Sequence, residues 1–296
     1  MKLKAFLSLV RIPTIFSSMS NAYAGYWIGG GRGLTPQLWS GVLAAGFFIM
    51  AGMALNDIAD KDVDAKERPT RPIPNGAIRL GQAWGLSLWM MVLGLGLLFR
   101  ANPISAAVGG LLCLAIFGYN FVLKGGFFGP AAMGLCRTLN LLTGISLTWN
   151  EFPDFTHFHK AVYLALFSIW AYIALVTYIA RDEVGGNAAS RIRNFFIGLA
   201  TWFSMWAAMA FVWFRAELYL PVVWFAHAMF LRGPVRNLAK DPSAKHTGQM
   251  IGSLLRLVPL LDVMAMLTNH VPLPFALAGA LWIIPAYMVG NWFYST

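Results

Sequence analysis

The sequence predicts an all-α integral membrane protein, a single bundle of nine transmembrane helices, or ten if residues 246–268 also cross. Three observations carry this fold class. Of the 296 residues, 58% are hydrophobic and 11% charged, whereas a soluble domain carries roughly a quarter charged residues. Apolar runs of bilayer length, ~20 residues each, recur from one end of the chain to the other. Lys and Arg are also distributed unevenly between the two ends of those runs.

The opening "MKLKAFLSLVRIPTIF" is basic, but Arg11 and Pro13 interrupt the apolar region a signal peptide needs, and no small-residue cleavage site follows. It is expected to be a retained cytosolic segment. Spans bounded by charge or by Gly and Pro then fall at 13–30, 36–59, 80–100, 103–123, 128–149, 160–181, 192–214, 218–236 and 272–293. The stretch 246–268 contains Arg256 and Asp262 and is either a full span or a tilted, partly buried helix. Sixteen Lys and Arg, in clusters from Lys2 to Arg11, Lys61 to Arg79, Lys124, Arg181 to Arg193 and Arg232 to Lys245, share one side. Four (Arg32, Arg100, Lys160 and Arg215) lie on the other. The basic side is therefore expected to be cytosolic, in a bacterial inner membrane. The net charge of +10 follows from that topology and attraction to anionic lipid, with no nucleic acid required. Cys113 and Cys136 fall inside spans, as small core residues rather than a disulfide or metal pair. No linker separates soluble domains, so residues 1–296 are expected to form one domain. Charged clusters at 56–71 and 181–193, four helices apart, suggest a faint internal repeat.

The densest charge is "MALNDIADKDVDAKERPTRPIPNG", residues 53–76. If the helix of 36–59 continues through it, Asn56, Asp57, Asp60 and Asp64 share an arc of about 100°, with Asp62 on the far side. Carboxylates so gathered at a membrane boundary repel one another and resist desolvation. A divalent cation resolves the conflict, and Mg²⁺ suits oxygen ligands completed by phosphates and water. Pro69 ends the helix, and Arg68 and Arg71 follow; Arg is adapted to bidentate phosphate contact. Acids for Mg²⁺ beside arginines for phosphate imply a diphosphate substrate. The alternative is a charge-balanced, solvated loop.

This stretch resembles the first signature of the UbiA superfamily of intramembrane prenyltransferases, N-D-x-x-D-x-x-x-D followed by R-P-x-x-x-G, and matches at Asn56, Asp57, Asp60, Asp64, Arg71, Pro72 and Gly76. The resemblance implies a helical bundle around a lipid-accessible cavity whose diphosphate end faces the cytosol. It implies that Asp57, Asp60 and Asp64 bind Mg²⁺ with a prenyl diphosphate, that Arg71 contacts phosphate, and that a lipophilic acceptor is the second partner beside membrane lipid. "YNFVLKGGFFGP" resembles the Tyr–Lys loop after the fourth span, which would bring Tyr119 and Lys124 to the diphosphate. Lys124 is either that phosphate ligand or an interfacial anchor. The second signature departs from the pattern: "YIARDEVGGNAASR" offers only Asp182 and Glu183. Asp182 is the candidate for further metal contact, and either acid is a candidate base for the final proton. With "GLCRTLNLLTG", this segment is most like the EboC-like branch.

Arg137 and Asn140 stand at i and i+3 in the fifth span, on one face. They either reach the acceptor or, in the case of Arg137, pair with an interior acid such as Asp262. Asn21 resembles a cavity-lining position of the family or makes an interhelical hydrogen bond. His227 is expected to be a satisfied buried histidine. Rings such as Trp170 and Tyr172 either shield a carbocation or simply pack. The activity expected is Mg²⁺-dependent prenyl transfer. A cyclase using the same ionisation, a non-enzymatic polyprenyl-lipid carrier and, last, an ion-coupled transporter are the rivals.

Overall fold

The computed structural model describes residues 3–153, 158–185, 219–241 and 243–294. Every regular element among them is helical. Six of the helical stretches are long and apolar enough to cross a membrane: Pro36–Ala59, Leu80–Ala101, Pro103–Leu123, Lys160–Ala180, His246–Thr268 and Leu273–Gly290. The uncertain stretch 246–268 is one of these. The expected span 192–214 lies outside the described residues.

A short helix α1 (Leu3–Leu9) leads through a 3-10 turn at Ile12–Thr14 into α2 (Ile15–Ile28), and α3 (Pro36–Ala59) follows. Thr35 starts α3 by accepting from the Leu38 N–H at 3.3 Å, with Pro36 in the first turn where its missing donor costs nothing. Two helices, α5 (Leu80–Ala101) and α6 (Pro103–Gly118), form a hairpin joined by Asn102 alone, with the short α4 (Lys61–Glu67) preceding them. The Asn102 side chain accepts from Ile104 N–H at 2.8 Å, and its amide donates to the Trp149 carbonyl beyond α7 (Gly129–Ser146). One residue thus ends one span, begins the next and ties both to a third.

The remaining described helices are α8 (Lys160–Gly185), α9 (Tyr219–Lys240), α10 (Ala244–Arg256), α11 (Val258–Thr268), α12 (Leu273–Ala280) and α13 (Ile283–Tyr294). Two stretches expected to be continuous are broken. Residues 246–268 bend at Leu257, just ahead of Pro259, and residues 272–293 bend at Leu281–Trp282, ahead of Pro285. Proline removes a helical donor and crowds the preceding turn, which accounts for both bends.

The outer faces are apolar, as lipid contact requires. Trp89 on α5, Leu114 on α6 and Met288 on α13 are each more than 60% exposed. A helix apolar on all sides is a membrane helix rather than a soluble one. Inside, α2 and α7 touch backbone to backbone. A Cβ on Gly25 would strike the Leu141 carbonyl and stand 2.9 Å from Gly144 Cα. Small residues at a crossing let membrane helices approach this closely.

Gly25→Ala is therefore expected to destabilise the protein by about 1–3 kcal/mol through overpacking. Gly85 on α5 has open space around its Cα, so Gly85→Ala is expected to leave stability unchanged or slightly raised. Thermal unfolding of both variants in detergent micelles checks the contrast.

Candidate active site

The acidic stretch does not continue α3 as one straight helix, contrary to the sequence expectation. The helix kinks at Asp60 (φ −88°, ψ 3°), which caps α3 and opens α4. The turn-to-turn hydrogen bonds survive the kink: Asp60 N–H donates to Asn56 O at 3.0 Å and Asp64 N–H to Asp60 O at 2.8 Å. The change of direction splits the acids into two groups. Asp57 and Asp64, whose side chains are 4% and 3% exposed, turn to one cation, Arg71. The same Arg71 nitrogen, Nη1, donates to Asp57 Oδ1 at 3.2 Å and to Asp64 Oδ2 at 2.6 Å. Asp60 turns instead to Lys124, 2.5 Å away, and accepts from the Asn56 amide at 3.2 Å. Lys124 also donates to Asn56 Oδ1 at 2.8 Å, closing a triangle of Asn56, Asp60 and Lys124.

Two local structures deliver the cations. The turn after α4 is held by Arg71 N–H to Arg68 O at 3.0 Å and Ile78 N–H to Pro72 O at 3.0 Å, and it reverses at Gly76 with φ 74°. That positive φ is free of steric cost for glycine. Lys124 is delivered by a π-turn, Tyr119–Leu123, which completes the expected span 103–123. The Lys124 N–H bonds five residues back to Tyr119 O at 2.9 Å. Such single π-turns inside α-helices frequently occur at functional sites.

Sequence reasoning missed a third cation. Arg11 sits in the left-handed region (φ 47°, ψ 58°) and donates to Asp57 Oδ1 at 2.9 Å. A left-handed conformation is costly for a residue with a Cβ and persists only where its surroundings fix it. Here the Thr14 N–H and hydroxyl both bond the Arg11 carbonyl at 2.9 Å. No periodicity or spacing marks Arg11. Three cations now balance three carboxylates. Arg68, expected at the phosphates, is exposed and is not among the cations on these acids.

Asn21, Arg137 and Asn140 meet in the bundle interior. Arg137 donates to Asn21 Oδ1 at 3.2 Å and to Ser17 Oγ at 2.8 Å. Asn21 passes the link on, its amide donating to Asp262 Oδ1 at 2.6 Å, while Ser20 donates to Asp262 Oδ2 at 2.6 Å. Both readings of Arg137 thus have a basis. It is coupled to the interior acid through an amide, and it also lines a cavity of about 60 Å³ with Asn140, Asn56, Tyr119, Phe48 and Ile116. A second cavity, about 260 Å³, lies on the other side of the α3 end between Arg11, Asp57, Arg71 and Pro72. His227 is buried with Nδ1 near the Val223 carbonyl at 3.0 Å, and Trp170 and Tyr172 bond backbone carbonyls, as packing roles require. Asp182 and Glu183 close α8, and their side chains lie outside the described residues.

The donor set suits a hard divalent cation, since Asp57, Asp60, Asp64 and Asn56 present only oxygen ligands of the kind Mg²⁺ takes. Among the described residues no three acids, histidines or cysteines stand together as a metal-holding group. Yet Asp57 Oδ1 and Asp64 Oδ2 already converge on one positive nitrogen, the arrangement a bound cation asks of them.

The sequence pattern of the family described as the UbiA prenyltransferase family matches residues 18–236. The chain is similar to the digeranylgeranylglyceryl phosphate synthase of Sulfurisphaera tokodaii, 27% identical over 146 residues, which are 49% of this chain and 52% of that protein. The chain thus spans about half the length of that relative. The synthase of Natronomonas pharaonis is 23% identical over 214 residues, 71% of this chain and 74% of the other. Among solved structures, the apo structure of a UbiA homologue from Aeropyrum pernix K1 shares 16% identity and a TM-score of 0.68 over 87% of this chain and 98% of that one. The structure of a UbiA homologue from Archaeoglobus fulgidus bound to GPP and Mg²⁺ shares 16% identity and a TM-score of 0.56, over 96% of this chain and 99% of the other. These likenesses place the fold.

Two expectations follow from the charge balance. Arg71→Ala leaves the nearly buried Asp64 without its 2.6 Å partner, and unpairing a buried ion costs ~3 kcal/mol; Arg68→Ala serves as the exposed control in the same unfolding assay. Burial lowers the pKa of Lys124, while its hydrogen bond to Asp60 and that carboxylate's charge raise it. Asp60→Asn therefore lets Lys124 lose its proton at a lower pH, which pH-dependent acylation of the amine by acetic anhydride reads directly.

Proposed function

The chain belongs to the UbiA prenyltransferase family, and from that premise we propose that it is a Mg²⁺-dependent intramembrane prenyltransferase that ionises a prenyl diphosphate and passes the prenyl group to a lipophilic acceptor. The proposal treats residues 1–296 as one transmembrane domain whose diphosphate end opens to the cytosol. The observation that carries it is the pair of nearly buried carboxylates, Asp57 and Asp64, sharing the Arg71 cation beside a cavity at the α3 end. Two acids on one nitrogen, with Asp60 and Lys124 alongside, form a set that can exchange partners. With a metal–diphosphate bound, the carboxylates would hold the metal and the cations the phosphates, so that no charge would be left buried and alone.

In this reading Asp57 and Asp64 would hold Mg²⁺, with Asp60 and Asn56 as adjoining oxygen donors and Asp182 as a further ligand. Bound there, Mg²⁺ supplies Lewis-acid neutralisation of the diphosphate oxygens. Arg71, Arg11 and Lys124 stabilise the negative charge that grows on the leaving group as the allylic C–O bond breaks and the diphosphate departs with the electron pair. Arg68 joins them only if its exposed side chain swings in. Tyr119 opens the turn that carries Lys124 and also lines the apolar cavity, between the charged and apolar ends of the site. Phe48, Ile49, Met53 and Ile116 give that cavity a dry lining that keeps water from the allylic cation. The acceptor's nucleophilic atom then bonds the allylic carbon, and its displaced proton leaves to Asp182, Glu183 or solvent. By their names the curated relatives make digeranylgeranylglyceryl phosphate, and a structural neighbour was solved with GPP and Mg²⁺. Both support a prenyl diphosphate as one partner and a lipid as the other.

The test is diphosphate release from a panel of prenyl diphosphates by the purified protein in lipid, with Mg²⁺ or EDTA. Release is expected only with Mg²⁺ and is expected to fall at least ~100-fold in Asp57→Asn or Asp60→Ala, as loss of a preorganised electrostatic contact does. Release that persists in EDTA, or in Asp57→Asn, would remove the acids from the chemistry.

A further inference from the structure

Resting on the prenyltransferase reading, we propose that the apolar cavity between α2, α3, α6 and α7 recognises a hydroxyl of an uncharged acceptor lipid, and that Asn120 Oδ1 and Asn140 Oδ1 are the groups that select it. Asn120 is 6% exposed and Asn140 3%, and both line the cavity. Each carboxamide has a fixed orientation. The Asn120 amide donates to Ile116 O at 2.9 Å and the Asn140 amide to Ser18 O at 2.9 Å. A main-chain carbonyl only accepts, so neither side chain can be flipped without placing oxygen against oxygen. Both Oδ1 atoms are consequently acceptors, and both lack a partner among the described residues.

Two buried acceptors without donors are costly, because each has given up water without gaining a partner. The allylic chain of a prenyl diphosphate cannot relieve them, because it carries no O–H or N–H. The donor has to come from the other ligand. Its charge follows from the neighbouring network. Arg137 lines the same cavity, but its two Nη groups are held by Asn21 and Ser17, and Asn21 connects it to the Asp262 carboxylate. The guanidinium is thus held away from the cavity by two neutral acceptors, with the carboxylate behind it reached through an amide rather than as a direct ion pair. An anion placed in the cavity would meet two carboxamide oxygens, which repel it, and a neutral O–H would satisfy them. Asn120 reaches the cavity on the face of α6 that also carries Leu112 and Ile116, at α-helical spacing, where the helix passes into the π-turn.

The test needs no turnover. Full-length protein in nanodiscs is labelled by three diazirine-bearing probes of one alkyl length (an alcohol, its methyl ether and its monophosphate), compared at equal mole fraction in the membrane. Labelled peptides are mapped by mass spectrometry. The alcohol is expected to label cavity residues such as Met53 and Met133 about five-fold more than the ether, the value of one hydrogen bond, and more than the phosphate. Asn120→Leu and Asn140→Leu, made singly so that one misfolded variant does not remove the test, are each expected to erase most of that preference. Equal labelling by alcohol and ether, or stronger labelling by the phosphate, overturns the inference. So does an alcohol preference that survives in a folded variant. Diphosphate release measured in the same preparation separates the two readings. Equal labelling with Mg²⁺-dependent release intact defeats only the acceptor site, and selective labelling without release defeats only the enzyme.

Discussion

Two carboxylates buried at the end of a membrane helix have to be neutralised, and much of the local architecture follows from that requirement. Asp57 and Asp64 are almost sealed from solvent, where an unpaired charge is costly. The chain answers with cations from three separate places: a left-handed residue before the first long helix, a glycine-terminated turn after α4, and a π-turn at the end of α6. Each is a locally unusual backbone. None improves secondary structure; the first two bring their arginines to Asp57 and Asp64, and the third brings Lys124 to Asp60 and Asn56 beside them. Of the three, only the left-handed Arg11 carries a steric cost, and its conformation persists because its surroundings fix it.

The inner half of the bundle obeys a different rule. Lipid offers no hydrogen-bonding partner, so polar groups inside have to satisfy one another. Helix α2 organises this. Its Ser17, Ser20 and Asn21 stand between Arg137 of α7 and Asp262 of α11, and its Gly25 lets α7 press against it. Charge in this network is closed off, while hydrogen-bonding capacity in the adjoining cavity is left open. The two ends of the candidate site therefore have opposite characters, one rich in exchangeable ions and the other neutral and short of donors.

The parts legible in the sequence were those set by residue type at fixed spacing. The apolar runs, the acidic signature and the R-P-x-x-x-G turn required no knowledge of distant partners. The kink at Asp60 was not legible, because the helical hydrogen bonds persist through it and only the direction changes. Arg11 was hidden because its role depends on a left-handed turn and on a residue 46 positions away. Asn120 was hidden because its helix face was legible from spacing but its oxygen's lack of a partner among the described residues was not, since that depends on every neighbour around it. The pairing of Arg137 with an interior acid was foreseeable from the cost of burying charge. The amide that mediates it was not, since an asparagine in a span is compatible with many partners.

The π-turn joins both halves of the site mechanically. Asn120 near its start faces the cavity, and Lys124 just past its end grips Asp60 and Asn56. A π-turn relaxes to α-helix by losing one residue from its ring, which would swing whatever follows by about 100°. The winding of these five residues thus sets the direction from which Lys124 reaches Asp60 and Asn56.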